Sequence, residues 1–257
     1  NSKAFIVSAI YNSGTAIVQN STFRDMDAKD MTVFGSLICT DTFNAKLYVS
    51  DSIFKNNVHI AAIYSDTSRY ISVYNSVFEN NTGAFMPIIQ VQSVNEFIVD
   101  SCTFMNNKRD SLISPTMANF KLVSTLFMDN DVKNAVIDYV REDSYIDSNV
   151  CTNAYYYGIN LHYSYTNFNS VSYNKVICRS SNSSSNFYGI RFYYYNNIGE
   201  VVGNKVYIRN TAVNYAYPMY IYYYNNYTNN PFGSMLVANN ELISEAGSYS
   251  YGLYVYN

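Results

Sequence analysis

Carboxylates, imidazoles, thiols and phenols are the side chains here that could do chemistry, and only the phenols are arranged for it. Acid–base cleavage of a glycoside needs two carboxylates flanking one bond, about 5 to 9.5 Å apart. The densest acidic neighbours are Asp25, Asp27 and Asp30, and Glu142 with Asp143. Both groups sit among polar turn residues with no repeated structural focus, and Arg141-Glu142-Asp143 reads as a charged solvent loop. The two histidines, His59 and His162, lack a second His or Cys at ligand spacing. The cysteines, Cys39, Cys102, Cys151 and Cys178, form no C-x-x-C pair, which argues against zinc. No catalytic residue, metal site or cofactor is assigned.

Tyrosine is different. It supplies 29 of 257 residues, and late in the chain it alternates with apolar residues. Ile190, Phe192 and Tyr194 point one way along an extended segment; Arg191, Tyr193 and Tyr195 point the other. Met219, Ile221 and Tyr223 then alternate with Tyr220, Tyr222 and Tyr224, and Leu253 and Val255 with Tyr254 and Tyr256. Asn160, His162 and Ser164 occupy the same outer row one repeat earlier. With the aliphatic row in the core, Tyr193, Tyr195, Tyr220, Tyr222, Tyr224, Tyr254 and Tyr256 form the candidate ligand-binding patch. An aromatic shelf with hydroxyl tips suits stacking against sugar rings or a partner protein. The competing reading is that stacked tyrosines only stabilise a sheet face through neighbour contacts.

The elements that would position this patch follow from a repeat. AIYNSGTAIVQNSTF, SLICTDTFNAKLYVSDSIF, AAIYSDTSRYISVYNSVF, PIIQVQSVNEFIVDSCTF and SLISPTMANFKLVSTLF align under one another. Phe23, Phe54, Phe78, Phe104 and Phe127 form a column with spacings of 31, 24, 26 and 23 residues. Three before each stands a polar corner residue: Asn20, Asp51, Asn75, Ser101 or Ser124. Five before stands Val18, Val49, Val73, Val99 or Leu122. Three after stand Asn57, Asn81, Asn107 and Asn130, with Met26 in the first repeat. Asparagine suits that turn because it tolerates the left-handed backbone, and stacked amides can hydrogen-bond along a column. The second half keeps the frame in new wording, as Ile146/Asn149, Val171/Asn174, Val201/Asn204 and Val237/Asn240. It adds the markers Tyr157-Gly158-Ile159, Tyr188-Gly189-Ile190, Tyr217-Pro218-Met219 and Tyr251-Gly252-Leu253.

Each repeat holds two or three short strands and cannot bury its apolar residues alone. Stacking at about 4.8 Å turns each column into a continuous core. The expected fold is all-β: a single-stranded right-handed parallel β-helix, a solenoid of about nine coils and on the order of 40 Å long. Its handedness is an expectation from coil size. Residues 1–257 read as one continuous β-helix, with coils of about 24 residues over 1–135 and about 30 over 136–257. Propellers need longer repeats, leucine-rich repeats need denser leucine, and a sandwich would show no column identity.

Composition narrows the partners. Charged residues are 14% of the chain and the net charge is −3, so no basic footprint for nucleic acid exists. No apolar run is long enough to cross a membrane as a helix. Because the chain starts at Asn1 and stops at Asn257 inside a strand-like pattern, a piece of a longer protein is expected. Cys102 shares its column with Ser21, Ser52, Ser76 and Thr125 and is expected to be a buried packing thiol. Cys151 and Cys178 lie close to one coil apart, leaving a bond between coils open. The sequons at Asn20, Asn80, Asn182 and Asn226 could carry glycans on an exported chain, with Asn20 less accessible at its corner. Residues 179–186 read as a protruding loop.

The segments AIYNSGTAIVQNSTF and SVFENNTG resemble the repeats of large adhesin-like surface proteins of methanogenic archaea. YGIRFYYYNN and VVGNKVYI are similar to repeats found across parallel β-helix proteins of the pectate-lyase-like fold, carbohydrate-binding and sugar-hydrolase members included. The Gly-Gly that precedes AIYN in the adhesin-like repeats is replaced here by Val7-Ser8. The resemblance implies an extracellular or cell-surface adhesin or stalk that presents a face to a glycan or to a host or neighbouring cell surface. The alternative is a polysaccharide-active β-helix enzyme, a lyase or glycoside hydrolase or a degenerate relative. The galacturonase motifs N-x-D, D-D, G-H-G and R-I-K are absent, and lyase chemistry would need an acidic cluster beside Arg or Lys. The expectation is therefore a non-enzyme.

Overall fold

The chain turns its corners at residues that accept a left-handed backbone. The computed structural model describes residues 5–28, 34–83, 86–132, 135–140, 142–154, 157–162, 168–178, 186–195, 198–210, 215–223, 234–246 and 249–256. Asn20, Asp51, Asn75, Ser101 and Ser124 have φ of 49°, 51°, 44°, 54° and 49°. A second left-handed column, Asp25, Asn56, Asn80, Asn106 and Asp129, follows each phenylalanine by two residues. This corrects the reading of Asn57, Asn81, Asn107 and Asn130 as the left-handed residues. The bend falls one position earlier, which frees the next residue to turn its amide inward along the stack.

Between corners the chain runs as strands, every pair of which is parallel to its equivalent one coil on. Three faces result. The first carries Phe34–Asp41, Ala135–Val140, Tyr157–His162, Phe187–Tyr195, Tyr215–Tyr223 and Leu253–Tyr256. The second carries Thr15–Gln19, Lys46–Ser50, Ser144–Asp147, Phe168–Ser172, Ile198–Val202 and Met235–Ala238. In the middle coils, Ala61–Tyr74, Ile89–Asp100 and Ile113–Val123 run without a break from the first face into the second. The third face is a nine-stranded sheet from Thr22–Arg24 to Glu241–Ala246. The expected parallel solenoid is the fold.

Inward residues stack into columns. Val49, Val73, Val99, Leu122, Ile146, Val171 and Val201 are all buried and follow one register across the midpoint. Phe23, Phe54, Phe78, Phe104 and Phe127 stack with centroids 4.9, 4.9, 4.4 and 5.0 Å apart. Each fully buried phenylalanine contributes about 1.5–3 kcal/mol of transfer free energy. That column continues as Cys151, Val176, Val206 and Leu242.

Two amide ladders run along the axis, in different turns. Asn57, Asn81, Asn107 and Asn130 pass Nδ2–H to Oδ1 at 2.9, 3.0 and 2.9 Å. Asn149, Asn174, Asn204 and Asn240 do the same at 2.9, 3.1 and 3.0 Å. The second ladder continues the small-residue column: Ser52, Ser76, Cys102 and Thr125 precede it in the same turn. Every oxygen in both ladders also accepts a backbone N–H from the preceding coil, which satisfies those donors within the turn. Coil lengths read from the second ladder are 25, 30 and 36 residues, so the later coils lengthen progressively along the chain.

Candidate functional site

The tyrosines fall in register on the outside of the first face. One column is Asn160, Arg191, Tyr220 and Tyr254; its neighbour is His162, Tyr193, Tyr222 and Tyr256. The sequence reading of these columns holds. Beyond them the frame slips: a register shift after Tyr193 pairs Tyr195 with Tyr223, not with Tyr224. Tyr224 itself lies outside the described residues, as do Ser164, Arg141, Asp30, Asn182, Asn226 and 179–185.

A third aromatic column was present in the sequence as a marker and belongs to the same surface. Tyr157, Tyr188, Tyr217 and Tyr251 stack at 5.1, 5.0 and 5.1 Å. Gly189, which follows Tyr188, allows the close approach beneath it. A Cβ there would stand 2.2 Å from Val206 Cγ1 and 2.7 Å from the Pro218 carbonyl oxygen. Tyr188 and Tyr217 also meet Tyr220 edge-on at 5.1 and 5.4 Å. In the earlier coils the column of Asn160, Arg191 and Tyr220 is held by Tyr11, Cys39, Tyr64 and Gln90, of which Cys39 and Tyr64 are buried with Ala61 and Met86. The stacked aromatic columns of this face are in the later coils.

Ring orientation decides what this surface can do. Within each column the rings lie nearly parallel: His162 on Tyr193 at 7°, Tyr193 on Tyr222 at 26°, Tyr222 on Tyr256 at 7° and Tyr220 on Tyr254 at 7°. Their π-faces are spent on one another. Edges and hydroxyl tips are what they offer outward, so the shelf for ring-on-ring sugar stacking becomes a comb of phenol hydroxyls at the coil spacing. Burial pushes the Tyr217 phenol up to about 12 and raises Tyr157 and Tyr220 for the same reason. These three phenols thus stay protonated and able to donate. Arg191 sits inside it, with its guanidinium carbon 3.9 Å from the Tyr193 centroid and 4.9 Å from that of Tyr157.

The second face carries a feature that the sequence reading missed. An open cleft of about 1100 Å³ crosses its outer surface, lined among others by Lys46, Lys121, Tyr145, Asp147, Tyr173 and Glu200. Its residues come from coils far apart in the chain, and no local pattern announces it. One signal was available: Tyr173 occupies the corner column that elsewhere holds Asn, Asp, Ser or Gly.

Asp25 accepts a hydrogen bond from Asn56 at 3.0 Å, and Asp27 lies 3.7 Å from His59 Nδ1. Asp143 accepts the Phe168 N–H at 3.0 Å. Among the described residues no three His, Cys, Asp or Glu side chains gather where they could hold a metal. All four cysteines are free and buried. Cys151 pairs with Val176 and Cys178 with Ala154, so the two occupy different columns. Cys102 accepts its place in the small-residue column, its thiol pushed up to about 12 by burial. Asn20 is exposed, as is Asn80, which corrects the expectation of a less accessible Asn20: the left-handed bend turns the corner side chain outward. Among the described residues no helix is long and apolar enough to cross a membrane.

No family model matches the chain, and no curated protein matches it. Among solved structures, the A-module of a mannuronan C-5 epimerase from Azotobacter vinelandii is similar at 9% identity and a TM-score of 0.25. The alignment covers 95% of this chain and 90% of that one. A score at that level carries no argument about activity.

Proposed function

We propose that this chain is a non-catalytic interaction module of an extracellular, adhesin-like surface protein, and that its tyrosine face holds an extended glycan. The observation behind the proposal is the in-register comb of phenols on the first face, in the columns of Tyr217, Tyr220 and Tyr222. Consecutive hydroxyls recur at the coil spacing of about 4.8 Å, which is comparable to the advance of one pyranose along an extended glycan chain. Each coil thus offers one set of hydrogen bonds to one sugar. Individually weak contacts add along such a repeat, since the rigid solenoid has already positioned every donor. Exposed sequons at Asn20 and Asn80 and the Asn-, Ser- and Thr-rich surface support display outside the cell.

Glycan-array binding by the wild-type chain and by a Y220F/Y222F/Y254F variant tests this. Phenylalanine keeps the stacked rings and removes the hydroxyls. Binding to extended oligosaccharides that disappears in the variant, with its unfolding midpoint unchanged, is the expected result. Equal binding by both chains, or none by either, would sink the proposal. Release of reducing ends from any bound polysaccharide would overturn its non-catalytic part.

A further inference from the structure

The corner between the second and third faces is left-handed in coil after coil, at Asn20, Asp51, Asn75, Ser101, Ser124, Ser148, Tyr173, Gly203 and Asn239. Asparagine, aspartate, serine and glycine suit that geometry. Tyr173, with φ 54°, does not: a bulky side chain there is an outlier that surrounding structure must hold in place. The coil that follows supplies the accommodation. Gly203 stands next in the column, and a Cβ on it would lie 2.6 Å from both Cδ1 and Cε1 of Tyr173. Two consecutive coils depart from the column together, one by carrying a ring and the other by giving up the side chain that would displace it. The ring so held is 64% exposed.

It borders the cleft of the second face at a built notch. Ser170 and Ser172 form the floor, nearly buried, with their Oγ atoms 3.0 Å apart. One coil earlier the same two outward columns hold Tyr145 and Asp147; one coil later they hold Glu200 and Val202. Ser170 donates to Glu200 Oε1 at 2.8 Å, which orients that carboxylate over the floor. Small residues between larger ones leave a gap one coil wide. An exposed ring stands at its end, with a carboxylate on either side.

We propose that this notch binds one neutral pyranose residue. The Tyr173 ring would pack against the C–H face of the sugar, and the carboxylates of Asp147 and Glu200 would accept hydrogen bonds from its hydroxyls. Charge-assisted acceptors are the strong partners for sugar O–H donors, and the same two carboxylates disfavour an anionic ligand. The paired serine hydroxyls on the floor match a polyhydroxylated ligand better than an organic cation, which would be held by rings on several sides. This site is on a different face from the tyrosine comb and does not depend on it.

Saturation-transfer NMR with the methyl glycosides of glucose, galactose, mannose and N-acetylglucosamine, and with choline as a cationic probe, tests the notch. At least one glycoside is expected to receive transfer from the wild-type chain, with affinity falling about tenfold in Y173N. Asn239 shows that asparagine fits this column, so Y173N should fold, with its unfolding midpoint raised by about 2–4 °C through relief of the left-handed tyrosine. E200Q keeps the ring and should weaken binding by itself, and Y220F/Y222F/Y254F should leave notch binding intact. No transfer to any of the four glycosides, equal transfer to Y173N, or transfer to choline in place of the sugars overturns the proposal.

Discussion

Asn149 Oδ1 accepts the backbone N–H of Thr125, one coil earlier, at 2.9 Å, and at this contact a hydroxyl ladder becomes an amide ladder. Before it, Ser52 and Ser76 cap the turn with Oγ. From Asn149 onward each side chain accepts from the coil before it and donates to a carbonyl of that same preceding coil, as Asn174 does to Ile146 at 2.8 Å. Asn174→Ala should cost about 2–4 kcal/mol, since it leaves several buried polar groups unpaired. Asn174→Ser should cost roughly half, because a hydroxyl can still cap the Asn149 amide. Chemical denaturation midpoints decide; equal losses for the two would mean that the amide matters only as volume.

The aromatic column predicts a different pattern. Phe104 lies 4.4 Å from Phe78 and 5.0 Å from Phe127, enclosed between two rings. Phe104→Ala should cost about 3–5 kcal/mol through lost burial and the cavity left behind. Cys151 sits in the same column below Val176, with its thiol raised by burial. Cys151→Val is therefore nearly isosteric and should cost less than about 1.5 kcal/mol. A Cys151→Val loss as large as that of Phe104→Ala would contradict the column assignment.

These columns were legible because a solenoid writes one physical requirement at one spacing. The Phe column and the apolar residue five before it repeat the same demand in each coil, and so do the tyrosines at 193, 222 and 256. What stayed hidden had no such repetition. The asparagines of the second half share their wording with the first ladder but occupy the serine column, because hydroxyl and amide serve the same cap. Tyr224 was aligned by alternation alone, and a single irregularity after Tyr193 breaks alternation. The notch joins Asp147, Ser170 and Glu200 through stacking across coils of unequal length. Only the misfit of Tyr173 in its column hinted at it.

The tyrosine surface should make stability fall in strong base. Tyr217 is raised to about 12, first by burial and then by the neighbouring phenols Tyr188, Tyr251, Tyr254 and Tyr220, against a usual value of about 10. The folded state therefore holds its proton after the unfolded chain has lost it. The resulting stability is fully present below about pH 10 and is lost as pH rises toward 12. Thermal midpoints between about pH 9 and 12 should decline, and Tyr217→Phe should flatten the decline. An unchanged slope in Tyr217→Phe would remove this residue from the account.

Arg191 gives the last test, since it separates charge from packing within the comb. Its guanidinium lies over Tyr193, Tyr157 and Tyr188 at 3.9, 4.9 and 5.2 Å, and its positive charge opposes the burial that raises the Tyr157 phenol. Arg191→Met keeps much of the alkyl stem and removes the charge. Loss of the cation–π contacts should lower stability by about 1 kcal/mol, and the Tyr157 phenol should titrate still higher than in the wild type. The ultraviolet titration of Arg191→Met compared with Arg191→Met/Tyr157→Phe isolates that one phenol. A Tyr157 titration that does not move, or that moves downward, would mean that the guanidinium acts on this surface by filling space and not by its field.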